Sequence, residues 1–174
     1  SLQPYIVIPM AGHGKRFKDV GISKPKFMIE VRNKTLFEWS LDSLPLEISR
    51  KIIFVCLEEH EKEFNVSKFI KNIMKKRYTK INYELVYLEK TTRGQVETVL
   101  HAKRLIYSEN PLIIYNIDTH FISTHLKSKI FTLKNSIIYG LLTNTFEKNH
   151  EGFAHIFFAL NQNEVYLLEN LIFE

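Results

Sequence analysis

Short apolar runs alternate along this chain with segments in which apolar residues recur at helical spacing, and this alternation constrains the fold more than any other feature. The sequence predicts four strands, one that begins at Ile6 and three at 51–57, 81–88 and 111–115, and the first two are expected to be buried. A continuous apolar run is typical of a strand that is covered on both faces. Strands that alternate with helices favour an α/β fold with a mostly parallel central sheet between two layers of helices.

The apolar spacing predicts helices over 36–44, near 66–77 and near 95–107. Thr35 is expected to cap the first of them, and Trp39 is expected to lie in the core. The rest of the chain predicts a helix near 122–131, a strand near 136–143, and short β segments at 153–159 and 164–173.

Composition supports one globular domain, 1–174, because 45% of the 174 residues are hydrophobic and 13% are aromatic. The formal charge of +5 suits a partner that carries phosphates, but the cations are scattered, so nucleic-acid binding gains no support. Cys56 is the single cysteine and is expected to pack in the core, which excludes a disulfide framework. No signal peptide and no membrane-length apolar run is recognisable, so we expect a cytoplasmic protein without a membrane partner.

The first apolar run leads into a loop rich in glycine and positive charge, formed by Gly12, His13, Gly14, Lys15 and Arg16. Glycines let backbone N–H groups approach a ligand closely, and the cations suit a polyanion. In open α/β sheets ligands bind beyond the carboxyl ends of the strands. We therefore expect this loop, the loop at 89–95 and Asp118 to converge on one cleft that holds a nucleoside triphosphate.

Two common nucleotide-binding loops fit this sequence poorly. A dinucleotide-binding fold would place a third glycine at position 17, which is Phe17, and an acidic residue about twenty positions further on at the end of the second strand. Here the second strand ends near Leu57 instead. A P-loop is excluded because no glycine is followed by lysine and then serine or threonine.

Three blocks together resemble the signature of the sugar-phosphate nucleotidyltransferases, the pyrophosphorylases that make nucleotide sugars. They are the loop from Ala11 to Phe17 with Gly21, Pro25 and Lys26 downstream, the segment from Gly94 to Thr98, and the segment from Tyr115 to Asp118. They occur in the family's order within 5–143. The resemblance implies a Rossmann-like three-layer sandwich that joins a nucleoside monophosphate to a phosphorylated acceptor and releases pyrophosphate.

The resemblance also implies residue roles. Arg16 and Lys26 are the expected catalytic cations, the first on the leaving pyrophosphate and the second near the α-phosphate and the attacking phosphate. The expected nucleotide-binding residues are Met10, Ala11, Gly12, His13, Gly14, Lys15, Glu89, Gly94 and Gln95. Thr98 is open to two interpretations, a contribution to the site or a core contact of its helix.

Asp118 is the candidate ligand for Mg²⁺, because this ion keeps several waters and takes only one or two protein carboxylates. The alternative role for Asp118 is to cap the following helix. Glu89 stands where some family members have glutamine. A carboxylate accepts hydrogen bonds only, which suits the exocyclic amine of cytosine and favours CTP among the pyrimidine nucleotides.

Two other functions remain open. A nucleotide-sugar-dependent glycosyltransferase should carry a second acid after Asp118, and His120 stands at that position. A non-catalytic nucleotide-binding protein would keep the loop without the reaction. The acceptor is expected to be a sugar 1-phosphate or another small phosphorylated compound of surface polysaccharide synthesis. The nucleotide-binding part is expected at 5–143, with the C-terminal β-rich part, 144–174, truncated or reduced, and oligomeric state is not predicted.

Overall fold

The computed structural model describes residues 3–13, 18–107, 110–115 and 117, together with the backbone of 137–140 and 157–160. Within these residues the central sheet has six strands in the order β5-β4-β1-β6-β7-β8. They are β1 (Tyr5–Pro9), β4 (Lys51–Leu57), β5 (Tyr83–Leu88), β6 (Leu112–Ile114), β7 (Ile137–Gly140) and β8 (Phe157–Leu160). A separate antiparallel ribbon joins β2 (Glu30–Val31) to β3 (Lys34–Thr35).

Four α-helices accompany the strands in the described part: α1 (Leu36–Asp42), α2 (Glu58–Phe64), α3 (Val66–Arg77) and α4 (Gln95–Leu100). Short 3₁₀ turns cover Lys26–Met28, Leu46–Ile48 and Lys103–Leu105. In the same part of the chain, no helix has both the length and the apolar character needed to cross a membrane.

Strand β1 lies at the centre of the sheet, with parallel partners on both sides. Ile6 pairs with Ile52 of β4 and with Ile113 of β6. All other described strand pairs in this sheet are parallel except β7 with β8, which is antiparallel. The prediction of a mostly parallel sheet is therefore confirmed, and so are the apolar strands at 51–57 and 111–115, the latter shortened at both ends.

Two apolar clusters cover the two faces of the sheet, because successive side chains of a strand point to opposite sides. Ile6, Ile8 and Met10 belong to the cluster that contains residues of α1 and α3. Tyr5, Val7 and Ala11 belong to the cluster that contains Val99 of α4. Burial on both faces explains why β1 is apolar throughout, since each buried Ile or Val side chain stabilises the fold by about 1.5–3 kcal/mol.

Helix α1 begins at the predicted cap and ends at Asp42, two residues before the predicted end. The Thr35 hydroxyl accepts from the Glu38 amide at 3.2 Å, and the Glu38 carboxylate accepts from the Thr35 amide at 3.2 Å, which completes a capping box. The buried residues are Phe37, Ser40 and Leu41. Ser40 takes a core position although it is polar, because its hydroxyl donates to the carbonyl oxygen of Ile117.

The expectation that Trp39 lies in the core is wrong. The indole is half-buried, donates from Nε1 to the carbonyl oxygen of Val31 at 2.8 Å, and lies under the Lys34 ammonium at 4.5 Å. An indole has an apolar body and a polar N–H, so it suits the edge between helix and ribbon. Trp39 therefore fastens the β2–β3 ribbon to α1.

One helix of the structure is not among the predicted ones, and another is shorter than predicted. The charged stretch at 58–64 forms α2, which begins directly after β4. The helix expected near 95–107 ends at Leu100, because the amides of His101 and Ala102 bond three residues back, to Thr98 and Val99, and a 3₁₀ turn follows. The prediction near 66–77 is confirmed by α3. The predictions at 122–131 and 164–173 lie outside the described residues, and the division of the domain at 143 remains a prediction.

Candidate functional site

Three segments form the candidate site, and we call them its limbs. The first limb is the segment that follows β1. Its backbone continues the sheet for one more residue, since the Met10 amide donates to the carbonyl oxygen of Val55 at 2.8 Å. Met10 is buried in the cluster on the α1 side of the sheet and Ala11 in the cluster on the α4 side. Gly12, which follows, is exposed. The loop is thus anchored by one buried side chain on each face of the sheet.

Packing does not require a glycine at position 12 or at position 94. A Cβ at either position would meet no atom within 4 Å. Gly94 has φ −177° and ψ −179°, an extended backbone that any residue adopts. Gly21, by contrast, has φ +82°, in the region that favours glycine. Gly12 and Gly94 therefore leave their backbone open to approach from outside the protein.

The second limb carries Lys26. Pro25 is buried, and Lys26–Met28 form a single 3₁₀ turn in which Lys26 is half-buried. Phe27 is 3% exposed and shares a cluster with Met10. The core therefore joins the segment of Lys26 to the end of β1, although the two are sixteen positions apart in the numbering of the chain.

A histidine that the sequence analysis did not single out lies between these limbs. His60 of α2 is 4% exposed, and its ring contacts the rings of Phe27 at 6.2 Å and His13 at 6.4 Å, both edge to face. The His13 Nδ1 atom lies 3.7 Å from Glu59 Oε2. Nδ1 of His13 and Nδ1 of His60 are buried and have no hydrogen-bond partner among the described residues.

Burial lowers the pKa of His60 from its ordinary value, the neighbouring His13 and Lys18 act in the same direction, and Glu59 and Glu63 oppose the shift. The imidazole of His60 is therefore neutral at pH 7. A signal for its burial was present in the sequence, since His60 and Phe64 are four residues apart and share one helical face of an otherwise charged segment.

The third limb is the loop after β5, which its own side chains hold in place. The hydroxyls of Thr92 and Thr98 both donate to the carbonyl oxygen of Gly94, at 2.8 and 3.1 Å. The Arg93 amide and its Nε donate to Glu97, at 3.0 Å each. Thr98 is 5% exposed and bonded within the loop, so its position fits the core interpretation.

Helix α4 follows the loop after β5 and packs on β1, and it thereby connects this loop to the first limb. Val99 shares a cluster with Ala11. Gln95, at the start of α4, is half-buried, and Glu89 is exposed at the end of β5. The structure thus brings Met10, Ala11, Gly12, His13, Lys26, Glu89, Gly94 and Gln95 to the carboxyl edge of the sheet. Their roles there remain predictions.

The backbone after β6 is held by α1, which covers the face of the sheet opposite α4. Ser40 is 1% exposed and donates to the carbonyl oxygen of Ile117, the residue before Asp118. Sequence reasoning missed the burial of Ser40, because a serine inside a helix carries no apolar signal. Gly14, Lys15, Arg16 and Asp118 lie outside the described residues. Within the described ones, no group of three or more His, Cys, Asp or Glu side chains could hold a metal ion.

Cys56 does not take part in this site. It is 1% exposed in β4, and burial raises the pKa of its thiol to about 12. A thiol that stays protonated at pH 7 is a poor nucleophile and a poor metal ligand. The prediction that Cys56 packs as a small apolar group is confirmed.

Comparison with known proteins places this arrangement in context. The sequence pattern of the nucleotidyl transferase family matches residues 6–166. The bifunctional protein GlmU of Buchnera aphidicola subsp. Schizaphis graminum is 26% identical over 152 residues, which cover 87% of this chain and 30% of that protein.

Two solved structures illustrate the likeness in three dimensions. The nucleoside-diphosphate-sugar pyrophosphorylase from Vibrio cholerae RC9 is 29% identical, with a TM-score of 0.58 over 71% of this chain and 52% of that one. The inositol-1-phosphate CTP transferase from T. maritima shares the fold, at 20% identity and a TM-score of 0.58 over 74% of this chain and 48% of that one. This chain spans about half the length of both structures.

Proposed function

Because this chain belongs to the nucleotidyl transferase family, whose pattern matches residues 6–166, we propose that it transfers a nucleoside monophosphate from a nucleoside triphosphate to a sugar 1-phosphate or another small phosphorylated acceptor. The observation that carries the proposal is the pair of glycines, Gly12 and Gly94, at the carboxyl edge of the sheet. Neither is required by packing, and Gly94 has a backbone that any residue adopts. A bound nucleotide gives both a reason to lack a side chain.

The reaction requires positioning and charge neutralisation more than covalent chemistry by the protein. A phosphate oxygen of the acceptor attacks the α-phosphorus, the bond from that phosphorus to the bridging oxygen breaks, and pyrophosphate leaves with the bond's electron pair. Backbone N–H groups near Gly12 and Gly14 hold the triphosphate. Arg16 stabilises the leaving pyrophosphate, and Lys26 stabilises the negative charge that builds up around the α-phosphate.

We propose Mg²⁺ as the metal and Asp118 as its protein ligand. Support comes from the position of Asp118, which directly follows a residue whose carbonyl oxygen is fixed by the buried Ser40. A single carboxylate suits an ion that keeps most of its waters. When bound, the ion neutralises part of the charge of the triphosphate.

For the base we propose cytosine. Glu89 is exposed at the end of β5, so its carboxylate is accessible to a ligand, and it accepts hydrogen bonds only. The exocyclic amine of cytosine is a matching donor, whereas uracil and thymine offer only a ring N–H. One of the structures with the same fold is a CTP transferase by name.

The test is pyrophosphate release by the full-length protein with Mg²⁺, one nucleoside triphosphate at a time, and a panel of sugar 1-phosphates and small phosphorylated alcohols. We expect release with at least one acceptor and faster release with CTP than with UTP or dTTP. A clear preference for UTP or dTTP would contradict the assignment of Glu89. Triphosphate binding without release for any pair would indicate a non-catalytic nucleotide-binding protein.

A further inference from the structure

A cleft of about 450 Å³ opens at the amino edge of the sheet, opposite the candidate site. Tyr5 and Lys51, the first residues of β1 and β4, line it together with Asn82, which precedes β5. Strand β1 separates this cleft from the glycine loop by about 13 Å, at about 3.3 Å per residue. The cleft and the candidate site are therefore distinct.

Positive charge dominates the cleft. Arg50, Lys51 and Arg104 line it, and among the described residues no acidic side chain contributes to its lining. Lys51 forms an ion pair with Glu84 at 2.9 Å. Arg50 and Arg104 are both exposed, and neither has a carboxylate partner within the part of the chain that the structure describes. Two guanidinium groups thus share one concave surface, and none of the described carboxylates compensates their charge.

An exposed aromatic ring completes the cleft. Tyr107 is 61% exposed, which is the second-largest exposure among the large hydrophobic side chains in the described residues. The Arg50 guanidinium lies over its ring at 5.1 Å, and the Tyr5 ring packs edge-on against it at 6.1 Å. The tyrosine is therefore held in place by two neighbours while most of its surface remains accessible.

We propose that this cleft binds a small organic phosphate with a planar ring, a nucleoside monophosphate being the simplest example. Guanidinium groups form paired hydrogen bonds with phosphate oxygens, and the accessible part of Tyr107 offers a stacking surface for a base. The volume lies within the range of about 300–1,000 Å³ typical of small-molecule sites. The proposal is independent of the transfer reaction, since none of these residues belongs to the carboxyl edge.

A local fluorescent probe can test the proposal without interference from the candidate active site. Tyr107→Trp keeps an aromatic ring in the cleft, and comparison with the parent protein, whose single tryptophan is Trp39, isolates its signal. We expect CMP to change the emission of this variant in a saturable manner. Cytidine, which lacks the phosphate, and inorganic phosphate, which lacks the ring, should each bind more weakly than CMP.

The arginines are tested in the same reporter background. Arg50→Gln with Arg104→Gln should weaken CMP binding by about tenfold or more, because two charged hydrogen-bonding groups are lost. Lys75→Gln with Lys76→Gln, an exposed pair on α3, removes the same charge elsewhere and should leave the affinity unchanged. Equal weakening by both pairs, no saturable signal, or binding of cytidine as tight as that of CMP would each overturn the proposal.

Discussion

Two polar clusters in this molecule differ in how completely their charges are paired. In the cluster around Asp42, on the outer side of α1, Arg77 donates to Asp42 at 2.8 Å and to Glu38 at 3.1 Å. Lys34 donates to Asp42 at 3.0 Å, and the Tyr78 hydroxyl donates to the same carboxylate. Each charged group of the Asp42 cluster thus has a partner within the protein.

The cluster of His13, Glu59 and His60 is satisfied far less. The closest approach between an imidazole and a carboxylate in this cluster is 3.7 Å, from His13 Nδ1 to Glu59 Oε2, and two imidazole nitrogens are buried with no hydrogen-bond partner among the described residues. A buried polar atom without a partner costs about 1–3 kcal/mol. We infer that the Asp42 cluster serves stability. The cluster of His13, Glu59 and His60 tolerates this cost because it lies between the first and second limbs of the candidate site.

The largest expected effect is on activity, at Lys26. Lys26→Ala should lower the rate of pyrophosphate release by about 10²–10³, as is typical when one preorganised charge is lost from a transition state. The urea midpoint should change little, because the anchor of this segment is the buried Phe27. Both quantities are measured on the same preparation.

Lys24→Ala is the matched control for Lys26, since Lys24 is exposed two positions upstream. It should leave both the rate and the urea midpoint close to those of the parent protein. If the two variants lose activity equally, the segment contributes only diffuse positive charge and Lys26 has no specific role.

The second effect is on stability, at Asp42. Asp42→Asn removes the shared carboxylate of Arg77 and Lys34 and should lower the free energy of unfolding by about 1–3 kcal/mol. Pyrophosphate release at saturating substrate should be unchanged. Urea titrations measure the first quantity, and Asp19→Asn, at an exposed position, provides the control. A loss of activity without a loss of stability would reverse the contrast between the clusters.

Acid should weaken the Asp42 cluster. Burial by itself raises the pKa of Asp42, but hydrogen bonds from Arg77, Tyr78 and Lys34 outweigh it and lower the pKa below its ordinary value. The stabilisation is therefore fully present above about pH 4, the value for an unfolded chain, and is lost as the pH falls through the lower folded value. The Asp42→Asn variant should lack this loss of unfolding free energy at low pH.

The smallest effect concerns His60. Its lowered pKa means that the unfolded chain takes up a proton first as the pH falls below about 6.5, so the folded state loses stability over that range. His60→Phe keeps a ring against Phe27 but cannot be protonated. The difference in unfolding free energy between pH 7.5 and pH 5.5 should shrink by an amount on the order of 1 kcal/mol. His101→Gln, at an exposed position, should leave this difference unchanged, and a parallel shrinkage there would remove His60 as its source.

The sequence by itself determined the layered α/β architecture and the segments that meet at the carboxyl edge. Strands such as β4 can be recognised from the local sequence, because a strand buried on both faces must be apolar at every position. The Thr35 cap and each motif block are equally local, since each depends on residues a few positions apart. Parallel strands then bring their carboxyl ends to one edge, which is why Gly12 and Gly94 could be placed together.

Only the tertiary structure decided which side chains surround those segments. Ser40 and His60 are buried because each meets a partner from a remote part of the chain, Ile117 in one case and Phe27 in the other. Trp39 lies outside the core, where its indole N–H donates to the carbonyl oxygen of Val31. The amino-edge cleft likewise combines Arg50, Arg104 and Tyr107, whose spacing carries no pattern. Burial and charge pairing depend on contacts between remote parts of the chain. The apolar periodicity of the sequence extends over one or two helical turns and does not specify these contacts.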